Sequence, residues 1–325
     1  MSRHIIVTGG SGYVGRHLIS RLAMEGNRIT NLDIKSPWRI NAGEQWIKRD
    51  IAPIAGPLSA DEFSGADCVI HLAALINAAE SVTDGDRYRH VNGRGTRCVL
   101  DATIAAGVPR FIFASSAAVY GAHNGKCDET TTTDPANPYG ATKLAGEMAG
   151  RGAQEIGDIA EVVNLRFFNI MGINSRLTPP SGAPNLFKNI ARRAVHGEVL
   201  DIFGTDHPTE DGYAIRDFIH VEDIVDALMK SVNAPQINGT FNIGSGSPTS
   251  LRQVIEAAQI ALPSPLALRM QPRREGEVSY SLASIAAAEA RLGWAPRRSS
   301  DLVSAIHEEY EAALFHQTET LLQQA

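Results

Sequence analysis

The residues best suited to proton transfer lie in two short segments near the middle of the chain. Ser116 follows an apolar run that predicts a strand, and Tyr139 and Lys143 stand four residues apart at the start of a predicted helix. Residues at i and i+4 share one helix face. A lysine ammonium beside a phenol favours the phenolate and lowers the tyrosine pKa from about 10. The three residues therefore predict a tyrosine base assisted by a lysine and a serine hydroxyl.

A glycine-rich segment near the N-terminus predicts a nucleotide site. Gly9, Gly12 and Gly15 are spaced three apart, between a predicted strand at His4–Val7 and a predicted helix at residues 13–26. Glycines here allow a tight turn, close backbone approach to a pyrophosphate and close packing of helix on strand. The helix N-terminus supplies N–H donors and positive potential. The spacing is GxxGxxG rather than GxGxxG, but its position between strand and helix favours dinucleotide binding.

Two acidic residues at predicted strand ends extend this site. Asp33 ends the second predicted strand, where a carboxylate accepts hydrogen bonds from the adenosine ribose and repels a 2′-phosphate, which favours NAD. Asp50, followed by Ile51, comes after a third possible strand and could reach the adenine amino group. On the residues alone, a plain surface aspartate is an equally good interpretation of Asp50.

Short apolar runs alternate with longer helical patterns over the first half of the chain. Further strands are predicted at residues 28–32, 66–72 and 110–114, with a long helical stretch at 85–106. This alternation predicts an α/β fold with a doubly wound, Rossmann-type parallel sheet. Prolines and glycines cluster after about residue 170, which predicts a smaller C-terminal substrate lobe.

These patterns predict two domains. We expect an NAD-binding Rossmann domain over residues 1–169 and a mainly substrate-binding lobe over residues 170–325. A predicted strand at residues 239–244 could rejoin the main sheet, so we expect a segment of about 222–244 to return to the first domain.

Composition narrows the class of protein. The 325 residues are 43% hydrophobic and 20% charged with a net charge of −6, which is ordinary for a globular chain and unlike a nucleic-acid binder. We expect no membrane span, since no apolar stretch reaches 18 residues, and no signal peptide after Met1. Three cysteines without CxxC spacing predict reduced thiols, no metal site and a cytoplasmic protein.

The chain resembles the UDP-glucose 4-epimerase family of the extended short-chain dehydrogenase/reductases, from about Arg3 to Tyr310. The most specific similarity is FGTDHPTEDG at residues 203–212, followed by RDFIHV at residues 216–221. Further similar segments are residues 91–93, 166–169 and 272–277.

This resemblance implies an NAD-dependent inversion at C4 of a UDP-hexose, with Ser116, Tyr139 and Lys143 as the catalytic set. Tyr139 removes the proton of the 4-hydroxyl as hydride leaves C4 for NAD. Ser116 bonds that oxygen and relays the proton, and Lys143 holds the nicotinamide ribose. The 4-keto sugar then turns over on its UDP anchor and takes hydride back on the opposite face. NAD is therefore expected to stay tightly bound.

The resemblance also implies two sets of binding residues. Those for NAD are Gly9, Gly12, Tyr13, Val14, Gly15, Asp33, Asp50, Ile51, Leu72, Ala73, Ala74, Asn92, Tyr139, Lys143 and Phe168. Those for the UDP-sugar are Ser116, Tyr139, Asn169, Asn185, Leu186, Phe203, Arg216, Arg274, Glu277 and Ser281.

Four of these positions carry specific expectations. Arg216 and Arg274 match pyrophosphate-binding arginines, whose planar guanidinium suits phosphate oxygens. Glu277 stands where the family usually has Asp at the uridine ribose. Ser281 falls beside the C2 substituent of the sugar, and its small size predicts that N-acetylated UDP-sugars are accepted as well. The resemblance further implies a homodimer through the helices at 85–106 and from Tyr139.

Some other functions found on the same fold require different residues at these positions. A dehydratase needs an acid and a base directly after the catalytic hydroxyl, where Ala117 and Ala118 can transfer no proton. A reductase or another nucleotide-sugar epimerase shares the three catalytic residues and stays open, although the uridine-side segments argue against a reductase. A dinucleotide sensor typically lacks the tyrosine or the lysine, and both are present.

Overall fold

A seven-stranded parallel sheet forms the centre of the molecule. The computed structural model describes residues 2–54, 56–123, 125–174, 185–273 and 278–324, and of residues 319–324 only the backbone. The strands in spatial order are β12 (Gly239–Ile243), β7 (Glu161–Phe167), β5 (Arg110–Ser116), β4 (Cys68–His71), β1 (His4–Thr8), β2 (Arg28–Asp33) and β3 (Glu44–Lys48). Every neighbouring pair is parallel. The order 3-2-1-4-5, continued by β7 and β12, confirms the predicted doubly wound fold.

Helices cover both faces of this sheet, which explains why its strands are apolar on both sides. On β1, Ile5 and Val7 belong to one core, whereas Ile6 belongs to a second core on the other face, as the period of two in a strand requires. The helices that pack on the sheet are α1 (Tyr13–Met24), α4 (Gly95–Ala105), α5 (Pro138–Glu155) and α7 (Val221–Asn233). The predicted strand at 66–72 proves shorter, at Cys68–His71.

The predicted helical stretch at 85–106 is not one regular helix. Two short helices, α2 (Ala78–Thr83) and α3 (Gly85–Tyr88), precede a π-helical turn at Arg89–Arg94, which continues into α4. Such turns insert one residue into the helical repeat. The periodicity of the sequence therefore predicted the helix but not its interruption.

The C-terminal part consists of small sheets and helices around a core of their own. A four-stranded sheet has the order β13 (Thr249–Ser250), β10 (Ile215–Arg216), β15 (Tyr280–Ala283) and β6 (Lys126–Cys127). Two strand pairs are β8 (Asn169–Met171) with β11 (Phe218–His220), and β9 (Leu200–Phe203) with β14 (Leu268–Gln271). The helices are α6 (Leu186–His196), α8 (Leu251–Ala261) and α9 (Leu302–Gln324). Because α7 packs on the main sheet and β12 belongs to it, the chain crosses between the two parts repeatedly.

Candidate active site

The glycine turn between β1 and α1 has the geometry that its spacing predicts. Gly9 has a φ of +72°, and a Cβ there would lie 2.7 Å from the backbone of Ala73. A Cβ on Gly15 would lie 2.3 Å from the Gly9 carbonyl oxygen, so helix and turn pack backbone to backbone. Gly12 is the N-cap of α1 and places no side chain over the first-turn amides. Those amides can donate to the oxygens of a pyrophosphate.

The carboxylates of two predicted nucleotide residues accept hydrogen bonds from backbone amides. Asp33 accepts from the amide of Ser11 at 3.0 Å and from that of Lys35 at 2.9 Å, and burial raises the pKa of Asp33. The bond to Ser11 places this carboxylate beside the glycine turn. Asp50 accepts from the amide of Ala52 at 2.9 Å, which orients it at the start of the loop after β3.

A buried histidine supports the segment that follows β4. The His71 ring contacts the Thr8 hydroxyl at 2.6 Å through Nδ1 and the Thr96 hydroxyl at 3.0 Å through Nε2. Burial lowers the pKa of His71 to about 3, so the ring is neutral. The Leu72 and Ala73 amides donate to the backbone and hydroxyl of Thr8. The predicted cofactor residues Leu72, Ala73 and Ala74 therefore run directly beside the glycine turn.

The predicted catalytic residues meet where the end of β5 faces the first turns of α5. Asn137 caps α5 by accepting from the amide of Gly140 at 2.9 Å. The Tyr139 hydroxyl lies against Ser116, whose side chain acts to lower the pKa of the tyrosine. The Lys143 Nζ lies 5.9 Å from the centroid of the Tyr139 ring. The structure thus brings Ser116, Tyr139 and Lys143 together.

Burial opposes ionisation of both Tyr139 and Lys143. It raises the pKa of Tyr139, against which the hydrogen bond to Ser116 acts. It lowers the pKa of Lys143 to about 7, against which the charge of Glu147 acts. Both shifts favour the uncharged groups, and the charge of Glu147 is the contribution that favours the Lys143 ammonium, whose positive charge would in turn favour the phenolate.

A buried ion pair lies behind Lys143, and sequence reasoning missed it. Glu147 is fully buried and accepts from Ser115 Oγ at 2.5 Å. Arg166 of β7 donates to both oxygens of Glu147, at 2.9 Å from Nε and 2.7 Å from Nη2. The available signal was spacing, since Glu147 follows Tyr139 and Lys143 at the next i+4 position of the same face.

Several other predicted cofactor residues use their side chains within the fold. The Tyr13 hydroxyl donates to the Gly172 carbonyl. The side-chain amide of Asn92 accepts from the N–H of Leu75 at 2.8 Å and donates to its carbonyl at 2.9 Å. Phe168 is buried beside Tyr120, Val14 packs against the same core, and Ile51 is buried. These residues would meet a cofactor through backbone or packing contacts.

Three of the other predicted substrate residues lie on separate elements of the C-terminal part. Arg216 of β10 and Ser281 of β15 are direct partners in the register of two parallel strands. Asn169 donates from Nδ2 at 3.2 Å to the carbonyl of Asp217, the residue that follows Arg216. The structure therefore brings Asn169, Arg216 and Ser281 into one neighbourhood.

The remaining substrate residues mark the ends of elements. Asn185 is the N-cap of α6 and accepts from the amide of Lys188 at 2.8 Å, so Leu186 is the first residue of that helix. Phe203 ends β9. Arg274 and Glu277 lie outside the described residues.

Known proteins resemble this chain in sequence and in fold. Residues 5–244 match the model of the NAD dependent epimerase/dehydratase family. The UDP-glucose 4-epimerase of Streptomyces lividans is 34% identical over 322 residues, which cover 92% of this chain and 93% of the relative. The solved structure of UDP-glucose-4-epimerase from Stenotrophomonas maltophila, with bound NAD and formylated UDP-arabinopyranose, matches with a TM-score of 0.89 at 29% identity, covering 98% of this chain and 99% of that chain.

An epimerase of an acetylated sugar is also similar in structure. The UDP-N-acetylglucosamine 4-epimerase from Methanobrevibacter ruminantium, in complex with UDP-N-acetylmuramic acid, matches with a TM-score of 0.85 at 26% identity. The match covers 98% of this chain and 99% of that chain.

Proposed function

The chain belongs to the NAD dependent epimerase/dehydratase family, and from this premise we propose that it interconverts the C4 epimers of a UDP-hexose, UDP-glucose and UDP-galactose. The observation that carries the proposal is the meeting of Ser116, Tyr139 and Lys143 at the end of β5. Relatives that catalyse this reaction cover almost the whole chain.

The residues around the glycine turn fit NAD. The uncapped first-turn amides of α1 suit a pyrophosphate, and the Asp33 carboxylate stands at the strand end where a ribose is recognised. We propose that this turn, Asp33, Asp50 and the segment Leu72–Ala74 hold the cofactor. NAD, when bound, supplies reversible hydride acceptance from C4 of the sugar.

The chain's own residues supply the proton chemistry. Tyr139, with its hydroxyl against Ser116, takes the proton of the 4-hydroxyl and returns it after the 4-keto sugar has turned over. Ser116 hydrogen-bonds the same oxygen. The Lys143 ammonium stabilises the phenolate while the sugar is oxidised. Arg216, and Arg274 by resemblance, anchor the diphosphate so that only the sugar moves.

Ser281 supports a broader substrate range. It lies beside Arg216 in the strand register, on the side where we place the diphosphate and sugar. A serine leaves room for an acetamido group that a large residue would exclude. We propose that UDP-N-acetylglucosamine and UDP-N-acetylgalactosamine are also interconverted.

We also propose a homodimer formed through α5 and the π-helical turn. A groove of about 520 Å³ runs between them, lined by Arg89, Gly93 and Ala145 among others. Met148 on the same helix is 62% exposed. Light scattering at micromolar concentration is expected to show a dimer. In the part of the chain that the structure describes, no helix is long and apolar enough to cross a membrane.

An epimerisation assay tests the proposed reaction. Purified protein is incubated with UDP-galactose without added cofactor, and the epimers are separated. UDP-glucose should form until equilibrium, because hydride returns to the same sugar. Denatured protein should release close to one NAD per chain. Absence of epimer, or activity that depends wholly on added NADP, would contradict the proposal.

A further inference from the structure

The end of β5 and one face of α5 meet through three consecutive contacts. Each joins a residue of the strand end to a residue of the helix, and the helix residues are spaced four apart. The pairs are Ala114 with Lys143 (2.7 Å), Ser115 with Glu147 (2.5 Å) and Ser116 with Tyr139. The outer two pairs hold the proposed catalytic lysine and tyrosine. The middle pair holds the strand end against the helical turn that follows Lys143.

The carboxylate of the middle pair belongs to Glu147, which is charged and buried, and Arg166 is well placed to donate to it. The side chains of Glu147 and Arg166 are 0% and 3% exposed. The guanidinium donates two bonds to Glu147 and lies 4.8 Å from the centroid of the Tyr120 ring. A buried ion pair adds little stability over apolar residues of the same volume. Its position beside Lys143 suggests another role.

We propose that Glu147 and Arg166 are positioning residues of the epimerase reaction, acting on Tyr139 through Lys143. Glu147 holds Ser115 between the two contacts of the strand end and provides a negative charge beside the Lys143 ammonium. Arg166 holds that carboxylate in place and balances its charge. This inference rests on the proposed function of the site.

The charges around Lys143 support this assignment. Tyr139 and Glu147 face it from its own helix, His71 from β4, and Arg166 from β7 behind Glu147. His71 is neutral because burial lowers its pKa to about 3. Until Tyr139 ionises, Glu147 is the member of this group whose charge favours the ammonium.

The test is the pH profile of kcat. On its alkaline limb, Lys143 loses its proton and no longer favours the phenolate of Tyr139. Glu147→Gln removes the carboxylate and leaves the charge of Arg166, so the limb should move to lower pH by about one unit. Arg166→Gln leaves the carboxylate uncompensated, so the limb should move to higher pH. The two variants break the same ion pair but shift the limb in opposite directions.

Two further variants separate charge from structure. Ser115→Ala keeps both charges, so it should lower kcat while the limb stays where it is in the wild type. Glu147→Gln/Arg166→Gln contains no unpaired buried charge and should fold even where a single variant does not. Its limb should lie below that of the wild type, because the nearer charge is lost.

The possible results distinguish the positioning role of Glu147 and Arg166 from the proposed function on which it rests. Limbs that stay in place in all charge variants, or that move the same way in both single variants, would overturn the positioning role. If the single variants do not fold, a double variant whose alkaline limb stays at the wild-type pH would be enough to overturn the positioning role. A wild type that interconverts no UDP-hexose would instead overturn the proposed function.

Discussion

Two polar regions of the molecule differ in the way they are assembled. The first, the catalytic wall, consists of residues 114–116 of β5 and the face of α5 that they contact. Its strand–helix bonds join residues 29 and 32 positions apart. The second, the joint, connects α1 with residues 172–174 and with the elements around α7 and α9. The Tyr13–Gly172 and Asn174–His17 bonds of the joint join residues 159 and 157 positions apart.

The joint continues from α1 through a chain of side-chain bonds. Asn174 Nδ2 donates to Glu222 at 2.7 Å, Glu222 is also bonded by Arg298, and Arg298 donates to Glu308 at 2.5 Å. His220 contacts Glu308 at 3.4 Å. The joint therefore ties the glycine turn to the C-terminal helix, whereas the wall is one strand–helix unit. We expect variants in the wall to change turnover and variants in the joint to change stability.

The largest effect should come from removing the hydroxyl of the wall. Tyr139→Phe keeps the ring but deletes the proton acceptor, so kcat should fall about 10²–10⁴-fold. Binding of UDP, measured by calorimetry, should be retained. Tyr213→Phe is the matched control, because Tyr213 lies in the C-terminal part with its ring beside Arg252. Near wild-type turnover in Tyr139→Phe would remove Tyr139 from the mechanism.

The joint should make the fold sensitive to acid. His17 contacts the Tyr13 carbonyl through Nδ1 at 2.7 Å and accepts from the Asn174 amide at 3.1 Å, so it is neutral, and burial lowers its pKa to about 4. Between this value and the ordinary 6.5, the unfolded chain binds the proton and the folded chain does not. Stability contributed by His17 is therefore present above pH 6.5 and lost as pH falls towards 4, by up to about 1.4 kcal/mol per pH unit.

Urea unfolding at several pH values between 7.5 and 5 measures this loss. His17→Gln should be less stable at pH 7.5 but should lose less stability on acidification, with little change in kcat at pH 7.5. His71 adds its own dependence in the same direction, since burial lowers its pKa to about 3. If the free energy of unfolding falls with pH at the same slope in wild type and His17→Gln, His17 does not make the joint sensitive to acid.

The smallest effect should be one of selectivity, from a residue outside both regions. Ser281→Tyr fills the space beside Arg216 and should reduce kcat/KM for UDP-N-acetylglucosamine by roughly 10-fold or more, while UDP-glucose is little affected. Ser281→Ala, which keeps the space and loses the hydroxyl, should behave like the wild type on both. If tyrosine harms both substrates equally, or the wild type ignores the acetylated sugar, Ser281 does not line the sugar pocket.

Much of the fold followed from local pattern. Apolar runs and helical periodicity predicted β1, β2, β4, β5, α1 and the start of α5, with ends displaced by a few residues. The glycine spacing predicted a tight turn, in which Gly9 has a positive φ. The domain boundary near residue 169 and the roles of the binding residues remain predictions.

By itself, the sequence determined the strand–turn–helix of the nucleotide site and the spacing of Tyr139 and Lys143, because these depend on neighbours within one or two turns. The tertiary structure alone decided that Glu147 is paired with Arg166, that the helix before α4 contains a π-helical turn, and that Tyr13 and His17 bind Gly172 and Asn174. The residues in these long-range pairs belong to elements that lie far apart in the sequence, and no regular spacing along the chain indicates which of them will pair. They meet only because burial of the apolar faces brings those elements together, and the polar groups buried with them must then find partners there.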